Sequence, residues 1–375
     1  MNILFIILVV LLSVLSLLFI LICGYDLLLH YSAMYKRRKI GTLSENEWII
    51  RVKKVAFKWL KKMPELKLTN NTSYALIEKI SGKNKSSNFA SWQKAALVLG
   101  LYENGEEVDT APFINSKGEF ETDYSGVDSA MLAYALLKAC ENKEALKPAM
   151  DKTFKLVKSF CDEDGLIQYN NKKGNFYVDA LGLVCPFLAE YSVAFGNKQA
   201  EEMCVKQLIF YSSNGLCEKN FLPNHCIKKD GTPLSVYAWG RGCAWYALGL
   251  IDSYEYLSES AKKQVLPLIE NFANVLLKYS LKDGGFSNLL TVSGYDSSAT
   301  AALGFFLARA GKILGNDDYI LCADKCLKKL VSYTMKSGEI DASQGDTHGI
   351  GNFSTFYDIM PFTQGMALRL YKQLN

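Results

Sequence analysis

The sequence predicts an all-α fold, a toroid of six helical hairpins behind one N-terminal helix of membrane length. Three observations predict it. Apolar residues recur at helical spacing in consecutive pairs of segments, and long stretches of strand alternation are missing. A glycine-led loop motif recurs between the pairs. One member of each pair is rich in small and apolar residues and the other is more charged, as the inner and outer layers of a ring require. An irregular helical bundle with no closed ring is the alternative arrangement of the same helices.

The chain opens on an almost uninterrupted apolar run, Asn2–Cys23. About 20 helical residues cross a bilayer, so this run is long enough. A cleaved signal peptide is the rival, but its positive n-region is absent and the apolar run exceeds the usual h-region. The expected division is a transmembrane anchor over residues 1–24, a basic juxtamembrane linker over 25–44, and one domain over 45–375. The cluster Lys36-Arg37-Arg38-Lys39 follows the span, and only the α-amine precedes it. The positive-inside rule then puts the domain in the cytoplasm. Most of the ten cysteines sit in apolar, helix-like runs and lack the spacing of a disulfide framework, which fits a reducing compartment.

The formal net charge is +4, with basic and acidic residues interleaved outside that cluster. This argues against a nucleic-acid surface. Glu45–Met63 reads as an amphipathic helix, Lys67–Ser87 as an Asn-rich loop around one short helix, and Phe89–Tyr102 as the next helix. Val108–Tyr124 is irregular. Then Val127–Cys140 pairs with Ala145–Phe160, Val178–Phe195 with Lys198–Tyr211, Tyr237–Leu257 with Ser260–Leu281, and Asp296–Leu314 with Asp317–Tyr333. Phe356–Leu374 closes the chain. Gly182 and Gly304 fall inside expected inner helices, where glycine costs about 1 kcal/mol relative to alanine, so close packing is the expected reason.

The repeated loops run from Asp164-Gly165, Asn214-Gly215, Asp283-Gly284 and Ser337-Gly338 to the next helix start. Each leading glycine suits a position just past a helix. Each loop delivers aromatic and charged residues, and around a ring those starts converge on one mouth. Asp128, Asp179, Trp239, Arg241, Asp296, Tyr357 and Asp358 are gathered this way. For Asp296 and Asp358 an N-cap role is the preferred reading. Asp179 lies between Tyr177-Val178 and the apolar run Ala180–Ala189. Desolvation and a second carboxylate would raise its pKa, and the helix dipole would lower it. In Tyr237–Leu250, Trp239, Arg241 and Trp245 stand at a Gly-interrupted helix start; indole and guanidinium suit a sugar face beside a carboxylate. No two of the three histidines (His30, His225, His348) have metal-ligand spacing, and no phosphate-cradling glycine loop or G-x-S-x-G elbow is present. No metal and no cofactor is expected.

Tyr177-Val178-Asp179 with the apolar run after it, Trp239-Gly240-Arg241-Gly242-Cys243-Ala244-Trp245, Asp296-Ser297-Ser298-Ala299, and the stretch Gly349–Gly365 ending Pro-Phe-Thr-Gln-Gly together resemble glycoside hydrolase families 88 and 105. These are the unsaturated glucuronyl and unsaturated rhamnogalacturonyl hydrolases. The resemblance runs from about Phe89 to the C-terminus and implies an (α/α)6 barrel. It implies that Asp179 is the catalytic acid/base and Asp128 the second catalytic Asp. Tyr177 stands where the family often has Trp. Trp239 and Trp245 would stack on sugar, Arg241 would orient polar groups of the substrate, and His225 is the histidine nearest the family's substrate-contacting position; Asp296 completes the substrate-binding set. The implied reaction removes a 4,5-unsaturated uronic acid from an oligosaccharide by hydration of its vinyl ether. The partners expected are a uronate-containing oligosaccharide and the membrane. A glycosidase of the same fold acting on a saturated glycan, and a non-catalytic glycan-binding scaffold, are the alternatives.

Overall fold

The computed structural model describes residues 3–64, 76–77, 80, 90–122, 124–169, 173–292, 294–347 and 349–375. His348 and most of the interval Lys67–Ser87, with its expected short helix, lie outside the described residues.

Helix α1, Ile3–Arg37, is long and apolar enough to cross a membrane, a property that a secretion signal shares. It does not stop at the end of the apolar run but continues through the stretch expected as linker, as far as the basic cluster. None of its residues is buried. Helix α2, Glu45–Lys61, starts on a capping box in which Ser44 and Glu47 satisfy each other's backbone groups. The rest follow as α3 (Ala90–Glu103), α4 (Ser129–Ala139), α5 (Lys147–Ser159), α6 (Asp179–Phe195), α7 (Lys198–Asn214), α8 (Gly240–Tyr254), α9 (Glu259–Tyr279), α10 (Ser297–Leu314), α11 (Asp317–Ser332) and α12 (Pro361–Leu374).

Their packing closes a ring. Helices α3, α4, α6, α8 and α10 each pack on the next, α10 packs on α12, and α12 packs back on α3. Nearly every residue of α8 and α10 is buried, whereas α2, α9 and α11 bury one stripe each. The periodicity therefore sorts the helices into six inner and, among the described residues, five outer ones. The sixth outer place, between α3 and α4, holds irregular chain with an isolated bridge between Ile114 and Phe120.

Glycine lets the inner helices touch. A Cβ on Gly365 of α12 would lie 2.1 Å from the Ala96 carbonyl oxygen of α3. One on Gly182 of α6 would lie 2.7 Å from the Trp245 ring of α8, so the glycine seats that indole.

The C-terminal ends of the inner helices form the floor, and there the ring is tied by charge. Arg369 of α12, wholly buried, donates to both oxygens of Glu103 of α3 and both of Asp252 of α8, at 2.7–3.1 Å. Arg309 of α10 adds contacts to Asp252 and Glu255, and Lys138 of α4 to Glu255 and Glu103. Burial pushes the Asp252 carboxyl up, but Arg369, Arg309 and Lys138 together outweigh it and hold the group below its ordinary value. Glu190 of α6 is also buried at this end, 3.0 Å from Lys143, and burial raises its pKa to about 7.

One expected element starts later than the sequence suggested. The last helix begins at Pro361, not Phe356, because proline fits the first helical position and Tyr357–Asp358 is taken up as strand β4. Strand β4 pairs antiparallel with β3, Ser343–Gln344. Asp358 is thus no N-cap; its carboxylate accepts from the Ile359 amide and from Arg37. A second two-stranded ladder joins β1 (Asn175–Tyr177) to β2 (Cys226–Lys228), with Tyr177 opposite Cys226.

Two measurements follow. Arg369→Leu leaves Asp252 buried without its main countercharge, and chemical denaturation should show a loss of about 3–5 kcal/mol. Glu190 has a folded pKa above its unfolded value, so its contribution is full below about pH 4.5 and is lost as pH rises through about 7. Stability should therefore fall between pH 5 and pH 8, on the order of 3 kcal/mol in all, and Glu190→Gln should flatten that slope.

Candidate active site

The inner helices begin at the opposite end from the floor, and the loops gather there. Asp179 is the first residue of α6, placed by the β1–β2 ladder just before it. Its side chain is mostly buried, and its Oδ2 makes no hydrogen bond within the described protein. His225 Nε2 stands 3.4 Å from that oxygen. The pairing of β1 with β2 explains the approach. Tyr177 faces Cys226, and the Val178 amide donates to the His225 carbonyl at 3.0 Å, so His225 and Asp179 arrive together although 46 positions apart. His225 is itself buried, its ring edge-on to Tyr177 at 5.6 Å and tilted against Trp239 at 4.8 Å.

Asp128 precedes α4 but makes no capping bond. Its Oδ2 instead accepts from the Ser91 hydroxyl at 2.7 Å. Burial pushes its carboxyl above the usual carboxylate value, with the Ser91 hydrogen bond opposing. Burial and the neighbouring carboxylates of Asp179, Asp128 and Asp346 hold the Tyr169 phenol well above its ordinary value. All three acids therefore act on one hydroxyl.

Trp239 is buried; its Nε1 donates to Gln344 Oε1 at 3.0 Å, and Phe353 stacks on its ring at 5.2 Å. Arg241, only 1% exposed, spends its donors on chain rather than solvent. Its Nη1 donates to the Gln344 carbonyl at 2.7 Å and to Ser298 Oγ at 3.3 Å, and its Nη2 to the Gly345 carbonyl at 2.8 Å. Asp346 Oδ1 lies 3.5 Å from Nη2. The planar fork thus braces the end of β3 and the chain leaving it. Asp296 is fully buried behind this wall, capping α10 through Ser298 and accepting from the Gln344 amide at 3.0 Å.

Asp179, Arg241 and Trp245 line one cavity of about 60 Å³ with Trp92, Tyr169, Leu183, Asp346 and Thr347. Tyr177 and His225 stand beside Asp179 rather than in that lining, and Trp239 packs on the far side against His225 and Phe353. Trp92, Tyr169 and Asp346 escaped the sequence reading. Asp346 lies in Gly345-Asp346-Thr347-His348-Gly349, which drew notice only for its histidine, and Trp92 opens a helix that reads as plain core.

A profile of Glycosyl Hydrolase Family 88 matches residues 107–370. The chain belongs to glycosyl hydrolase family 88. Solved structures repeat its architecture at low identity. A possible member of family 105 from Klebsiella pneumoniae is 15% identical, with a TM-score of 0.71 over 88% of this chain and 93% of that one. A family 105 glycoside hydrolase from C. acetobutylicum is 18% identical, with a TM-score of 0.66 over 80% and 98%. The unsaturated glucuronyl hydrolase responsible for glycosaminoglycan degradation in Bacillus sp. GL1 is 16% identical, with a TM-score of 0.63 over 87% and 95%. At these identities the likeness is one of fold. No curated protein matches the sequence. The family and its six-hairpin relatives agree with the ring read from helix pairs.

The bracing by Arg241 can be measured. Arg241→Lys keeps the charge but cannot reproduce the fork to two successive carbonyls. Limited proteolysis should then cut the 345–356 stretch faster than in the unaltered protein, with a stability loss of about 1–3 kcal/mol.

Proposed function

We propose that this family 88 protein is a membrane-anchored unsaturated uronyl hydrolase, removing a 4,5-unsaturated uronic acid from an oligosaccharide. The observation that carries the reading is the pairing of a mostly buried Asp179, whose Oδ2 is unbonded within the protein, with His225 at the edge of an aromatic cavity. Such an oxygen is available to a reacting group, and the indoles of Trp92 and Trp245 offer apolar faces to a sugar ring.

In this mechanism Asp179, acting as general acid, gives a proton to C4 of the vinyl ether. The C4–C5 π electrons form the new C–H bond, and positive charge develops at C5, shared with the ring oxygen. Water adds at C5 and returns a proton to the Asp179 carboxylate. The resulting hemiketal opens and releases the remaining sugar. Asp128, with a raised pKa and one bond from Ser91, holds substrate hydroxyls across the mouth. Arg241 acts mainly by positioning Asp346 and Gln344. The raised phenol of Tyr169 stays protonated as a donor near the acids.

Helix α1 is the proposed anchor, with the domain on the cytoplasmic side by the rule that basic flanks stay inside.

The test is Asp179→Asn in membranes. Loss of the unsaturated-uronate absorbance from lyase-generated oligosaccharides should stop, with helical circular dichroism unchanged, while the unaltered protein stays in the pellet after alkaline carbonate extraction. Full turnover by the Asn variant would remove Asp179 from the chemistry, and release of a shortened chain by carbonate would remove the anchor.

A further inference from the structure

The end of α1 is built into the barrel. The helix stops in a tight turn, in which the Ile40 amide donates to the Arg37 carbonyl at 3.1 Å and the Gly41 amide to the Thr334 carbonyl at 2.9 Å. Gly41 has φ +70°, and a Cβ there would lie 2.6 Å from the Ser332 carbonyl oxygen, so glycine lets the turn press on the end of α11. Next to this contact, Arg37 reaches the β3–β4 ladder. Its Nε and Nη2 donate to the two carboxylate oxygens of Asp341, with Nη2–Oδ1 at 2.8 Å, and Nη2 also donates to Asp358 Oδ1 at 3.3 Å. Asp341 stands just before β3 and Asp358 ends β4, so one guanidinium spans both arms of the ladder. A planar fork on a carboxylate fixes direction as well as distance. Arg37 lies outside the family-matched residues 107–370.

What the clamp holds is strained. Ala342, between Asp341 and Ser343, has φ +61°, in the left-handed region that a residue with a Cβ enters only under constraint. Its neighbours supply that constraint. Arg37 grips the Asp341 side chain, while the Ser297 hydroxyl and amide donate to the Asp341 and Ala342 carbonyls. Past the kink the chain leads straight to the site. The Gln344 side chain accepts from Trp239 Nε1 at 3.0 Å, the Trp239 ring packs on His225 at 4.8 Å, and His225 Nε2 stands 3.4 Å from Asp179 Oδ2. Asp346 and Thr347, a little farther along, line the cavity. The indoles of Trp92 and Trp245 come instead from the inner helices α3 and α8, which are held by the packing of the ring.

Resting on the hydrolase reading above, we propose that Arg37 is a positioning residue of the active site: its clamp on Asp341 and Asp358 keeps the Ala342 kink and the β3–β4 ladder in the arrangement that sets Trp239 and His225 against Asp179. The end of α1 is thereby part of the enzyme rather than a tether for it. Without the fork, two neighbouring carboxylates lose the cation they share, and the ladder opens more readily. The clamp acts on the wall beside the acid and not on the indoles that would stack on sugar, so its loss lowers kcat more than it raises KM.

The experiment compares two full-length variants that each remove one charge from the same basic cluster, Arg37→Gln and, at an exposed neighbour, Arg38→Gln. Hydrogen–deuterium exchange is read by mass spectrometry on peptides covering 341–347 and 355–358, with peptides of α6 and α8 as the reference. Arg37→Gln should speed exchange in the two ladder peptides and leave the inner helices protected, and Arg38→Gln should match the unaltered protein. On lyase-generated oligosaccharide, Arg37→Gln should lower kcat on the order of tenfold, with KM changed less than about threefold. Asp341→Asn should reproduce that loss, and combining it with Arg37→Gln should cost little more, because both remove one clamp. Ladder exchange equal in the two Gln variants, or acceleration spread over the whole barrel, overturns the clamp. An effect on KM alone, an equal loss of kcat in Arg38→Gln, or full additivity with Asp341→Asn overturns the positioning role. If the unaltered protein turns over no lyase-generated oligosaccharide, the hydrolase reading fails, and the exchange data still decide whether Arg37 holds the ladder.

Discussion

The buried guanidinium of Arg369 is the constraint from which the barrel's shape follows. A ring of parallel inner helices has to end somewhere, and at the C-terminal ends the carbonyl dipoles all point the same way, which favours cations there. Arg369, Arg309 and Lys138 supply them, and Glu103, Asp252 and Glu255 balance the charge. Taking so many ions out of water is costly unless each is paired in good geometry. The floor therefore tolerates little sliding of one inner helix past the next, and the register set there is carried the length of the ring to the mouth.

At the mouth the same principle is used with the signs rearranged. The N-terminal ends of the inner helices favour negative charge, and Asp128, Asp179 and Asp296 all stand at helix starts. They do not play one part. Asp296 satisfies its own helix and the Gln344 amide, and so stiffens the wall. Asp128 leaves its helix uncapped and takes a hydroxyl instead. Asp179 has an oxygen with no hydrogen bond among the described residues and only His225 Nε2 at 3.4 Å beside it. A gradient from fully satisfied to unsatisfied carboxylate runs across the site, and reactivity is expected at the unsatisfied end. Arg241 joins this arrangement to the loop: its fork to Gln344 and Gly345 brings Asp346 against the cavity, so a residue far along the chain becomes part of the wall.

Much of this was legible in the residues. Helix pairs, the glycine-led loops and the inner-helix glycines at Gly182 and Gly304 all follow from periodicity and from the steric meaning of glycine, which are local properties. The capping reading of Asp296 was local too and agrees with its hydrogen bonds. Asp358 was misread, because a carboxylate before an apolar helix looks like a cap; its backbone was claimed instead by a strand whose partner, Ser343–Gln344, lies in a loop. Trp92, Tyr169 and Asp346 gave no local signal, since their place in the cavity depends on chain segments more than a hundred residues apart.

The sequence by itself determined which segments are helical, which of their faces are buried, and that the loops deliver acids and aromatics to helix starts, since each depends on neighbours within a few turns. Only the tertiary structure decided that His225 meets Asp179, that Arg241 is consumed in bracing a loop, and that Arg37 reaches Asp341 and Asp358. The physical reason is the closure of the ring. Whether two helix starts come face to face depends on the tilt and register of every helix between them, and that is a sum of packing contacts across the whole barrel which no single stretch of chain contains.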